Sequence, residues 1–151
     1  MNLNVEDRLH LFRKVCEAVH HGHQKGVIHR DLKPANIMVD AQGQVMITDF
    51  GLAKRESDND NLTRTGAVLG TPAYMAPEQA GGMRGNVGPV SDVYSLGSVL
   101  YHMLTGRPPF QGESPVDIVL MVLEQDPVAP RMVNSAVDRD LFLRLTGDPS
   151  I

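Results

Sequence analysis

Residues 29 to 51 gather most of the chain's chemically capable groups: His29, Arg30, Asp31, Lys33, Asn36, Asp49, Phe50 and Gly51. Asn36 and Asp49 offer an amide oxygen and a carboxylate. These are hard donors of the kind magnesium accepts, and that ion takes only one or two ligands from protein beside phosphates and water. Asp31 and Lys33 stand close by in sequence. A carboxylate there could orient a substrate hydroxyl and accept its proton, and an ammonium could offset charge on a transferring phosphate. Singly, Asp31 and Asp49 would pass for loop caps and Lys33 for a solvated surface charge. As a set, they suit phosphoryl transfer from a nucleotide.

Such a set works only if the chain brings it together. Two short β-rich runs at 37–39 and 45–47 flank Asp40-Ala-Gln-Gly43 and predict a hairpin, which would make Asn36 and Asp49 converge. Before it, Leu9, Phe12, Cys16 and Val19 recur at helical steps. They predict a helix over about 5–23, with Asn4 as N-cap, Glu6 and Asp7 at its positive end, and Gly22 and Gly26 marking its end. Cys16 falls on the apolar side and reads as a buried structural thiol. His20, His21 and His23 could suggest a metal site, but only His20 and His23 share a face, so a solvated helix end is the expectation. Residues 55–88 show little periodicity and no convincing element. From 93 to 105 the chain is apolar on nearly every side, which predicts a central buried helix stopped by Gly106. Ser114-Pro115-Val-Asp117 opens another helix to about 124, and a short one is predicted over 138–145.

The stretch His29-Arg30-Asp31-Leu32-Lys33 through Asn36, then Asp49-Phe50-Gly51, resembles the catalytic and metal-binding loops of protein kinases, H-R-D-L-x-x-x-N followed by D-F-G. Four fixed residues at fixed spacing arise by chance about once in 10^5 positions, on the logic of motif matching. Ala76-Pro77-Glu78 matches the A-P-E that ends the kinase activation segment, and 91–97 resembles the start of the buried helix anchoring the large lobe. The resemblance covers about 8–131. It implies a mainly α fold with a small β-hairpin, the large (C-terminal) lobe of a kinase. It implies catalytic roles for Asp31 and Lys33, ATP held through Lys33, Asn36 and Asp49, and Mg2+ on Asn36 and Asp49. His29, Phe50, Gly51 and Asp92 would be architectural, with Asp92 holding the backbone around His29 and Arg30.

Lys33 two residues after Asp31, with Thr71 and Glu78 in the substrate segment, resembles the serine/threonine pattern. Residues 62–65 and 72–79 are most similar to bacterial members, in which threonines at the positions of Thr63 and Thr65 are phosphorylated. Arg30 would suit such control, because a phosphate finds a guanidinium partner there. The chain also departs from the family. It has no Gly-x-Gly, and none of its lysines lies in a strand pattern before Asp31. The expectation is therefore one partial kinase domain over 1–151, with small lobe and final helices absent, weak binding of Mg-ATP and little phosphotransfer alone. An uncovered apolar surface would invite a partner. Arg139 and Arg144 are poorly placed to pair with Glu78. The competing reading is a non-catalytic kinase-like interaction module or a decayed fragment.

Composition sets the remaining bounds. Across 151 residues, 42% are apolar and 21% charged, enough to bury a core. A net charge of −4 argues against general affinity for nucleic acid. One cysteine excludes an internal disulfide framework. The acidic start is no signal peptide and no apolar run is long enough for a bilayer, so the expectation is a soluble, cytoplasmic chain meeting protein substrates.

Overall fold

The computed structural model describes residues 3–50, 72–82 and 86–137. They form a mainly helical fold with one two-stranded antiparallel sheet. Helix α1 (Val5–Gln24) starts where the Asn4 side chain accepts from the Asp7 amide at 2.9 Å, and Glu6 and Asp7 sit in its first turn. Its buried stripe, Val15 and Val19, forms a core with Leu32 and Leu96, and Phe12 and Cys16 pack against it. Burial, with a smaller opposing backbone hydrogen bond, pushes the half-buried Cys16 thiol up from its ordinary range.

Gly22 does not end the helix, contrary to expectation. A Cβ there would lie 2.7 Å from the Phe50 ring, so the glycine marks a close approach within α1. The helix closes at Gly26, in the left-handed region at φ 75°, with the Val27 amide donating to the Gly22 carbonyl.

Strands β1 (Ile37–Val39) and β2 (Val45–Ile47) pair antiparallel with Met38 opposite Met46. The turn is built by Asp40, whose Oδ1 accepts from the amides of Gln42 and Gln44, while Gly43 takes φ 73°. Ile37, Val45 and Ile47 face the α1 core and the two methionines face outward. Lys14 Nζ donates to the Gly43 carbonyl at 2.8 Å, tying the turn to α1.

A buried 3-10 turn at Pro72–Tyr74 leads into the short helix α2 (Pro77–Ala80), elements that periodicity could not show because each is about one turn long. Helix α3 (Pro89–Thr105) is central, yet its burial differs from the apolar reading. Val90 and Val93 are 77% and 60% exposed, whereas Ser91, Asp92, Ser95 and Ser98 are buried. The hydroxyls are tolerated because each finds a partner: Ser95 Oγ donates to the Tyr74 carbonyl at 2.8 Å, and Ser98 Oγ to Tyr94.

At the far end of α3, Gly106 takes φ 79°. The orphan carbonyls of Met103 and Leu104 accept from Arg8 Nη1 and Asn134 Nδ2, both at 2.7 Å. Helix α4 (Pro115–Glu124) opens with a reciprocal Ser114–Asp117 cap. The one-turn α5 (Pro130–Val133) follows, and the helix predicted over 138–145 lies outside the described residues. Among the described residues, no helix is long and apolar enough to cross a membrane.

Candidate active site

Asp92, in the first turn of α3, has no solvent exposure. A carboxylate can stay there only if several donors replace its water. Oδ1 accepts from the Arg30 amide at 2.9 Å, and Oδ2 from the His29 amide at 2.9 Å and His23 Nε2 at 2.7 Å. His23 is therefore not part of a solvated helix end: its side chain is 16% exposed and reaches inward from α1. Arg30 occupies the left-handed region at φ 71°, a conformation that costs a non-glycine residue about 1–2 kcal/mol.

His29 is fully buried. The Thr48 carbonyl can only accept, so Nε2, 2.9 Å away, carries the proton and donates. Nδ1 is then bare and accepts from the Asp31 amide at 3.2 Å. The Phe50 ring meets His29 edge-on, centroids 4.8 Å apart, in the space Gly22 leaves open. One neutral imidazole thus joins the loop of Asp31 to the strand end before Asp49.

Lys33 Nζ lies 2.8 Å from Asp31 Oδ2. Asn36, 6% exposed, donates through Nδ2 to the Asp31 carbonyl at 2.9 Å and reaches Asp31 Oδ2 at 3.5 Å. Since that carbonyl only accepts, Asn36 Oδ1 must be the atom directed away from it. The Asn36 carbonyl in turn receives the Thr48 amide at 2.9 Å, one residue before Asp49. Asp49 is exposed with φ 62°. The amide oxygen and the carboxylate are thus carried by backbones that are bonded to each other. Two hard oxygens beside an acid–lysine pair fit magnesium with a nucleotide polyphosphate. No cluster of three or more His, Cys, Asp or Glu that could cage a metal occurs among the described residues.

The 72–80 segment packs beside this loop. Tyr74 stacks on His102, centroids 6.0 Å apart, with its phenol oxygen 2.6 Å from Nδ1. Burial pushes the Tyr74 phenol up, which keeps it a proton donor. Glu78 Oε1 accepts from Ser91 Oγ at 2.5 Å. Gln79 spans further: its Oε1 accepts from the Ala76 amide at 3.2 Å and its Nε2 donates to the Arg30 carbonyl at 2.7 Å.

The protein kinase domain model matches residues 1–140. The chain belongs to the protein kinase domain family. It is 44% identical over 136 residues to the serine/threonine-protein kinase PknB of Mycobacterium leprae, covering 90% of this chain and 22% of that protein. To PknB of Mycobacterium tuberculosis it is 48% identical over 127 residues, 83% of this chain and 20% of the relative. To that of Mycolicibacterium smegmatis it is 46% identical over 134 residues, 88% and 21%. The chain thus spans about a fifth of the length of these curated relatives.

Among the residues singled out in the sequence, His29, Arg30, Asp31, Lys33, Asn36, Phe50 and Asp92 are joined by hydrogen bonds, an ion pair and a ring contact. Asp49 follows Thr48, which is bonded to this group, and Glu78 is bonded to Ser91, the neighbour of Asp92. Gly51, Thr63, Thr65 and Thr71 fall outside the described residues, as do Arg139 and Arg144. Sequence reasoning missed His23 and Gln79. Gln79 stands three residues after Ala76 at the spacing of a capping box, but alanine cannot accept there, so the signal is half of the motif.

Proposed function

We propose that residues 1–151 supply the large-lobe half of a bacterial-type serine/threonine protein kinase, which moves the γ-phosphate of ATP to Ser or Thr hydroxyls of a protein. The observation that carries this reading is the bonded group of Asp31, Lys33 and Asn36, with the Asn36 carbonyl fastened to Thr48 beside Asp49. Asn36 Oδ1 and Asp49 would hold Mg2+, which when bound offsets charge on the polyphosphate. Asp31 would orient the substrate hydroxyl and take its proton. Lys33, 2.8 Å from Asp31 Oδ2, would present its ammonium to the transferring phosphoryl group.

The serine/threonine class is supported by Lys33 and by the names of the relatives. Control by phosphorylation of Thr63 and Thr65 fits the Arg30 guanidinium, which has no hydrogen bond or ion pair among the described residues. A cytoplasmic location, where ATP and protein substrates meet, belongs to the same reading.

Titration with Mg-ADP tests the metal pair directly. The expected outcome is weak, magnesium-dependent binding that Asp49→Asn removes without changing the melting temperature, since asparagine tolerates the left-handed backbone. Equal binding in EDTA, or by the variant, would overturn the assignment.

A further inference from the structure

We infer that Gln79 is a positioning residue that couples the 72–80 segment to the peptide group carrying Asp31; this rests on the kinase reading and goes beyond it. The Arg30–Asp31 peptide is gripped at both ends. Its oxygen accepts from Gln79 Nε2 at 2.7 Å, and its N–H donates to His29 Nδ1 at 3.2 Å. The amide on the other side of Arg30 is held by Asp92.

Three side chains, those of the preceding His29, of Asp92 on α3 and of Gln79 on α2, thus fix one left-handed residue immediately before the proposed base. Two of the grips, His29 and Asp92, belong to the buried scaffold. Gln79 alone comes from the 72–80 segment, and its Oε1 simultaneously receives the Ala76 amide in that segment. A shift of the segment therefore acts on the plane of the Arg30–Asp31 peptide, and through it on the direction of the Asp31 carboxylate. A glutamine suits the task because it donates and accepts at once.

That property separates coupling from simple capping. Gln79→Glu keeps the acceptor for Ala76 but sets a carboxylate against the Arg30 carbonyl; Gln79→Met keeps the length and removes both bonds. Amide hydrogen exchange on the full chain reads the result. In both variants the Arg30 and Asp31 amides are expected to exchange about tenfold faster, with the β1–β2 amides unaltered. Mg-ADP affinity should stay within roughly twofold, because neither metal ligand is touched.

In a kinase domain made by joining the chain to the glycine-loop lobe of a family member, turnover should fall about tenfold at unchanged KM for ATP. Unchanged protection at Arg30 and Asp31 in the Met variant, or in the Glu variant with loss confined to 72–82, would overturn the coupling. So would a change in KM alone. Should the joined protein show no Asp31-dependent transfer at all, the kinase reading fails, and the exchange comparison still decides the role of Gln79.

Discussion

Asp92 shows how much a single side chain can carry. Its two oxygens serve three donors from the protein in a side chain with no solvent exposure. In Asp92→Asn one oxygen becomes an NH2 that faces donors, and the charge assistance disappears. The expected cost is about 2–4 kcal/mol of stability in urea denaturation; a loss below about 1 kcal/mol would mean that Asp92 is not the anchor of the loop. Asp31, Lys33, Asn36 and Asp49 were legible in the sequence because their types and spacing within one short stretch already specify a chemistry. His23 and Gln79 were not, because their meaning lies in partners 69 and 49 residues away. Local pattern carries no information about which buried acceptor a side chain will find.

At the scale of elements, the hairpin was legible to the residue, since Asp40 and Gly43 state the turn and the apolar runs state the strands. The inner face of α3 was not. An all-round apolar pattern does not say which side turns inward: Val93 is exposed, whereas Ser95 is buried with its hydroxyl donating to the Tyr74 carbonyl. Gly22 is the corresponding case in α1. A helix-interior glycine normally costs about 1 kcal/mol relative to alanine, but here the missing Cβ is what admits Phe50 against His29. Gly22→Ala should gain that propensity and lose the aromatic contact, worth about 0.5–1.5 kcal/mol. Thermal stability should then change by less than about 1 kcal/mol, while the NMR ring-current shift at His29 disappears. A variant stabilised by the full propensity, with the His29–Phe50 contact intact, would show that the glycine serves no packing purpose.

Across the whole molecule, one side of the sheet closes on α1, and Met38 and Met46 stand 53% and 59% exposed on the other. The loop holding Asp31 and the strand end before Asp49 are tied at that sheet, so the proposed site is made where helical scaffold and hairpin meet. The family was legible from motif spacing alone, whereas the roles of Thr63, Thr65 and Thr71 rest on residues outside those described. The most direct measurement is phosphate transfer from Mg-ATP to serine and threonine residues of a protein substrate, by the chain joined to the glycine-loop lobe of a family member. Transfer is expected, with Asp31→Asn lowering it by on the order of 10^2-fold or more in a protein that remains folded. A folded protein that transfers nothing, or one whose transfer is indifferent to Asp31, would contradict the assignment of catalysis to this loop.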